Sequence, residues 1–515
     1  MYHDLAESEL NGERHFGVVV IGSGPAGLTL AKELSDKGEI VALISSGNGV
    51  YDLRNQDLYK GEIPNQLPAW PLHASRLRMF GGTSNHWTGH CGPYDSIDFQ
   101  ARDFVPNSGW LVTRDELESY YRSAQNVIGL GTYDYSPTRL DNKLDFSFAQ
   151  NGFSEGVLAF NPKRFGPDFR EDLEGRSNCL VIENANLTKI NLNPDGKRVS
   201  SLEVRSLNGN VSSITCDSAV LACGGVENAR LLLHTDLAQS LECIGRYYSF
   251  HPRLITGTFY LSEPIIKENA YQWQQTEDGI RKIFVKYTSE SQAENRLPNY
   301  AMNLLNRSDP NHPAYSAALR VRNKIRGDSY EGDLSDDLLT ILSGFGALVK
   351  QYTGRKLEGH TSSFNLMTYV DPTPRYENHI ELIDELDELG LRRCRANWTP
   401  AEDDINNTVD FNSRFGALVG ASGLGRVQVV DGLDREEIFS NLVRQSSGGG
   451  HQMGTTRMSN DSSTGVVDAN LKVHGVENLY CAGSSVFPTF SWVNPTMTIV
   501  ALSIRLAAHL SQVKQ

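Results

Sequence analysis

The sequence predicts an α/β protein of two units, one built on a buried parallel sheet and the other on a mainly antiparallel sheet with helices. Three observations carry that expectation. Near the N-terminus an apolar run, a glycine-rich turn, a helix-patterned stretch and a second apolar run follow one another. From about 256 to 440 the pattern shifts to alternation, as in HIELID at 379–384. The length of 515 residues exceeds what one hydrophobic core ordinarily serves.

The first element is FGVVVIGSGPAGLTLAKELSDKGEIVALISSG, residues 16–47. Val18 to Ile21 reads as a strand buried on both faces, Leu28, Leu30, Ala31 and Leu34 suit a helix packed on a sheet, and Ile40 to Ile44 closes the unit. Gly22, Gly24 and Gly27 form G-x-G-x-x-G at the strand-to-helix turn, with Pro25 and Ala26 between them. There glycine permits the tight turn and the helix N-terminus can hold a pyrophosphate, so the unit is Rossmann-like. The acidic residue that ordinarily bonds the adenosine ribose about 20 residues on is absent; Ser45 stands in its place, and it or Ser46 bonds a ribose more weakly than a carboxylate does.

Further along, Thr113 and Glu116 form a capping box opening a helix in GWLVTRDELESYYRSA. DSAVLACGGVENARLLL at 217–233 is a second strand, glycine pair and helix, placing Gly224 where it can approach the same nucleotide. Residues 334–354 read as helix, and the polar stretch near 325–336 as an insertion or a solvated loop. In the last block Asn478 to Ala482 is a strand, and Asn494-Pro495 suits the N-cap and first turn of a long apolar helix. The units are therefore 1–255 with 441–515, and 256–440, the latter assigned to substrate enclosure because it has no phosphate-binding fingerprint.

A formal charge of −14 argues against a nucleic-acid groove or an anionic membrane as partner. No apolar run reaches the length of a membrane span and the N-terminus is polar, so the expected location is the cytoplasm. Seven scattered cysteines without a C-x-x-C pair read as reduced thiols, and no metal site is expected. Gly152 to Gly156 matches G-x-S-x-G without the strand-to-helix setting of a nucleophile elbow.

Several stretches, in order, resemble the glucose-methanol-choline (GMC) oxidoreductase family: VVVIGSGPAGLTLAKEL, FGGTSNHW, GWLVTRDELESYY, VLACGGVENARLLL, GRYYSFHPR, HQMGTTRM, and NLYCAGSSVFPT through NPTMT. The flanks are more similar to the sugar-oxidising, pyranose oxidase-like branch than to the glucose oxidase branch. The resemblance implies FAD, with its ADP half on the N-terminal unit and its ring between the glycine loop and the C-terminal block, and oxidation of an alcohol by loss of a hydride and a proton. It implies that Gly81, Gly82, Thr83, Ser84, Asn85, His86 and Trp87, with Gly483, Ser484, Asn494, Pro495 and Thr496, contact the cofactor. His86 stands where some members carry a histidine bonded covalently to the flavin, whereas in others this loop only touches the ring.

His451 stands at the family's active-site histidine, and Asn494 at its histidine-or-asparagine partner. Histidine, neutral near pH 7, suits the removal of an alcohol proton. His451 is expected to be the general base for hydride transfer to flavin N5, and Asn494 to hold the substrate oxygen. His251, beside Pro252, reads as structural. The expected substrate is a polyhydroxylated small molecule, a sugar, glycoside or aminocyclitol, with oxygen or another carrier as electron acceptor. The alternatives are a FAD-containing lyase of the same fold, a non-sugar alcohol as substrate, and flavin binding without catalysis.

Overall fold

In a computed structural model the structure describes residues 1–68, 70–140, 143–265, 271–306, 321, 336–337, 361–430, 434–445 and 450–513. The helix expected over 334–354 and the stretch near 325–336 lie outside the described residues, Asp336 and Asp337 apart.

One sheet of eight strands forms the first layer. Strand β1 (Arg14–Ile21) lies between Val41–Ile44 and Val211–Leu221, parallel to both. Cys179–Glu183 and Tyr2–Asp4 extend one side, and Leu479–Cys481 pairs in parallel with Val211–Leu221. The register places Ile21 beside Ile44 and Leu221, and Leu221 beside Cys481. Four strands thus end along one edge, where the glycine turns emerge, and ligands of open α/β sheets bind at such an edge. Val18, Val19, Val20 and the whole run Val41–Ile44 are buried, as the unbroken apolar runs require. Helices α1 (Pro25–Asp36) and α3 (Thr496–Val513) pack together beside this sheet, and α2 (Gly224–Leu233) begins with the glycine pair Gly224-Gly225. The capping box forms as expected: Thr113 N–H donates to Glu116 Oε2 at 2.6 Å, and Glu116 N–H to Thr113 Oγ1 at 3.2 Å.

A second, antiparallel sheet runs Gly425–Val429, Arg253–Ile265, Thr361–Tyr369, Ala301–Asn306, Gly279–Tyr287, Phe153–Phe160, His90–Cys91, with Gln274–Thr276 added to Gly279–Tyr287. It takes Phe153–Phe160 from the N-terminal part of the chain, so Ser154 sits within a strand and not at an elbow. HIELID falls in the strand His379–Leu386, which pairs with Arg392–Asn397. Separate apolar clusters underlie the two large sheets. All seven cysteines are free thiols, six of them buried. Among the described residues no helix is long and apolar enough to cross a membrane.

Candidate active site

A cavity of about 550 Å³ runs from the edge of the parallel sheet to the second sheet. Its first end is made of backbone. A Cβ on Gly27 would overlap the carbonyl oxygen of Gly22, and one on Gly22 would come 2.6 Å from that of Ala222, so these two glycines let α1 and the neighbouring strand close on β1. Gly24 differs: a Cβ there would meet nothing within 4 Å, and as N-cap of α1 it offers no side chain to the first-turn N–H groups. Gly224 and Gly483 are likewise open, and all three line the cavity. Bare helix N–H groups behind an open glycine are the donors a pyrophosphate takes. Pro25, Ala26 and Ser484 complete this wall; Ser484 Oγ donates to the carbonyl of Gln452 at 2.7 Å. Gly27 lies behind it.

Ser45 is fully buried, with its hydroxyl 2.7 Å from Ser23 Oγ and turned onto the carbonyl of Gly47, and it lies outside the lining; Ser46 lines the cavity. The carboxylate at this end comes from Glu227 on α2. Its Oε1 accepts from Arg78 at 3.2 Å and Arg230 at 2.8 Å, with Arg76 at 3.7 Å from Oε2. Burial pushes the Glu227 pKa up, but Arg230, Arg78 and Arg76 outweigh it and hold the carboxyl down at about 2. Arg76 and Arg78 both lie over the ring of Tyr59. Sequence reading missed this cluster, although Glu227 stands in the quoted VLACGGVENARLLL stretch.

The GGTSNHW loop borders the middle. Gly81 is left-handed, with φ of 91°, and starts a short 3-10 helix, Gly82–Asn85. Ser84 Oγ donates to the Gly81 carbonyl and Asn85 Nδ2 to that of Phe80. Gly82, Thr83, Ser84, His86 and Trp87 line the cavity, while Gly81 and Asn85 brace the loop from behind. Burial, and then the charge of Arg164, lower the His86 pKa and keep its ring neutral. Trp87 is tied by Nε1 to the carbonyl of Lys163 at 2.8 Å.

The far end is made of side chains. His451 and Asn494 both line the cavity there, with Pro495 and Thr496 of the α3 entry. The helix begins at Thr496, and the Pro495 carbonyl accepts from Ile499 at 2.9 Å. Asn494 therefore does not cap it. Its Oδ1 accepts from Arg253 Nη2 at 2.6 Å and its Nδ2 donates to the His90 carbonyl at 2.9 Å, which leaves one amide hydrogen unused by either bond. His451 is partly exposed to the cavity, and its Nδ1 lies 3.1 Å from Nδ1 of His251. Burial, then the charge of Arg253 and the repulsion that protonating the neighbouring His251 or His90 would add, hold the His451 pKa well below the ordinary value, so its imidazole is neutral at working pH. The loop bearing Asn494 is held by two carboxylates, one buried and one partly exposed: Ser491 N–H donates to Asp371 at 2.8 Å and Trp492 Nε1 to Asp95 at 3.0 Å.

Two groups here escaped sequence reasoning. Arg253 was not singled out, and His251, read as structural, touches His451 directly. Both lie in GRYYSFHPR, a stretch that drew notice only through resemblance.

Glycine turns at the end of a parallel sheet are thus joined through one cavity to a neutral histidine and an asparagine, an arrangement that suits a dinucleotide-binding protein. A family model described as GMC oxidoreductase matches residues 374–503. Pyranose 2-oxidase from Tricholoma matsutake is 40% identical over 488 residues, 86% of this chain and 75% of that one. Paromamine 6'-oxidase from Streptomyces fradiae is 22% identical over 548 residues, covering 96% and 91% of the two chains. Among solved structures, pyridoxine 4-oxidase from Mesorbium loti superposes with a TM-score of 0.60 at 16% identity, over 96% of this chain and 99% of that one. The chain belongs to the GMC oxidoreductase family and is an alcohol oxidoreductase. That family is FAD-dependent, and the open glycine cradle with its uncapped helix N-terminus fits such a dinucleotide.

Proposed function

We propose that the protein oxidises a primary or secondary hydroxyl of a sugar, glycoside or aminocyclitol to the carbonyl, with His451 as general base. The observation that carries this reading is that His451 and Asn494 face the same cavity as the glycine cradle of Gly24, Gly224 and Gly483. FAD, when bound, supplies the hydride acceptor, flavin N5. His451 accepts the hydroxyl proton as the C–H bond gives up its hydride, so proton and hydride leave together and the carbonyl forms. Asn494, with its amide oriented by Arg253 and the His90 carbonyl, offers its remaining N–H to the substrate oxygen. Gly22, Gly24, Pro25, Ala26 and Gly224 would hold the pyrophosphate side, with Ser46 and Glu227 toward the ribose. The GGTSNHW loop, Gly483, Ser484, Pro495 and Thr496 would border the flavin ring.

In this reading residues 1–255 with 441–515 serve the cofactor and 256–440 the substrate, with Phe153–Phe160 adding a strand to the second. The substrate class is supported by the relatives named for a pyranose and for paromamine, and the chain's surplus of acid tolerates an amino sugar. His86, which lines the cavity, would border the flavin. Acid precipitation separates its two roles: colour retained in the protein means a covalent tether, and colour released means contact alone.

The test is the visible spectrum under anaerobic conditions, before and after a pooled panel of sugars, glycosides and amino sugars. Bleaching of the flavin band is the expected result. Substrate cleavage without bleaching would replace this reading by the lyase, and bleaching only by simple alcohols would replace the sugar. Oxygen uptake during turnover then assigns the electron acceptor.

A further inference from the structure

His251 stands at the entry to the strand Arg253–Ile265 and is 2% exposed. Both its ring nitrogens are engaged. Nε2 lies 2.9 Å from the carbonyl oxygen of Phe490, and Nδ1 lies 3.1 Å from Nδ1 of His451. A carbonyl only accepts, so the hydrogen of His251 is on Nε2. Burial pushes the imidazolium down to about 3; the Phe490 bond opposes this and Arg253 adds to it, so the ring is neutral and its Nδ1 is a bare lone pair. Two bare nitrogens do not bond. The hydrogen between the rings therefore belongs to His451 Nδ1, and the neutral His451 has its lone pair on Nε2.

We propose that His251 is a positioning residue, which locks His451 in the tautomer with hydrogen on Nδ1 and a bare Nε2 available to accept a proton. The Phe490 carbonyl sets the orientation of His251, and the loop carrying that carbonyl leads directly into Asn494. The two groups that face the substrate are thereby adjusted to one another through four residues of backbone and one imidazole. When Nε2 takes up the substrate's proton, the new imidazolium donates from Nδ1 to the His251 lone pair. The His251 hydrogen stays on Nε2, and no further proton moves. The identity of the base rests on the reading above; the tautomer does not.

The test has two readouts. In the flavoprotein labelled with ¹⁵N-histidine, the His451 resonances are expected to show a protonated Nδ1 and a bare Nε2, and His251→Phe is expected to lose that preference. A wild-type His451 protonated at Nε2, or a His251→Phe protein with the tautomer unchanged, would overturn the proposal. In single-turnover flavin reduction, His251→Phe should slow the limiting rate about tenfold or more while leaving substrate affinity within about twofold. His251→Gln, which has both an acceptor and a donor, should recover most of the rate; equal loss in both variants would also overturn it. Should His251→Phe fail to fold, the wild-type resonances and His251→Gln decide the matter. A correct tautomer with a His451→Ala enzyme of normal rate would sink the base assignment and leave this inference standing.

Discussion

At one end of the cavity the chain presents backbone: glycines without obstruction in front of them and the open N-terminus of α1. At the other it presents the side chains of Arg253, His451 and Asn494, backed by the buried His251 and the carbonyl of His90. The backbone end is written locally, because a tight turn and a close helix approach demand glycine at fixed spacing. The side-chain end depends on how two sheets meet, and no local spacing encodes that. A site can thus be half readable in sequence, according to whether its contacts come from neighbours in the chain.

Substitutions sharpen this contrast. The largest effect is expected at Glu227, which belongs to the backbone end by place and to the side-chain end by construction. Glu227→Gln leaves Arg78 and Arg230 without their shared carboxylate and should cost about 3–5 kcal/mol of stability, measured by denaturant unfolding. Gly27→Ala pushes a methyl into the Gly22 carbonyl; a loss of about 3 kcal/mol and of bound flavin is expected, read by melting and by absorbance after gel filtration. Asn494→Ala removes the amide that Arg253 orients and should lower flavin reduction about a hundredfold with flavin retained. Gly24→Ala meets no protein atom, so the apoprotein should keep its stability to within about 1 kcal/mol while FAD titration shows weaker binding. Equal damage from Gly24→Ala and Gly27→Ala in the apoprotein would break the distinction between cradle and packing glycines.

The remaining expected effect is a pH dependence. His251 binds a proton more weakly folded, at about 3, than unfolded, near the ordinary 6.5. Its contribution to stability is therefore present above pH 6.5 and drains as pH falls through that value toward 3. The stability difference between wild type and His251→Gln should shrink over that window, seen as converging melting temperatures. A difference constant with pH would contradict a neutral His251.

The parallel strands, α1, the second glycine helix and the long final helix were all legible, since apolar runs and glycines mark them. The Thr113 capping box was legible for the same reason: its two partners are three residues apart. Ser45 illustrates the opposite. The strand end was read correctly, but which of two adjacent serines faces the cavity depends on the Ser23 hydroxyl that draws Ser45 away. Asn494 looked like a helix cap because asparagine before proline suits one; Arg253, from the second sheet, takes its carbonyl oxygen instead. His251 looked structural beside a proline, and only the packing of its strand against the loop at Phe490 brings it onto His451.

The most direct measurement is the rate of anaerobic flavin reduction in wild type and His451→Ala, rapidly mixed with a sugar or amino sugar that bleaches the wild-type protein. A fall of about a hundredfold or more, with flavin still bound, is the predicted result. A near-normal rate in His451→Ala would contradict the account at its centre.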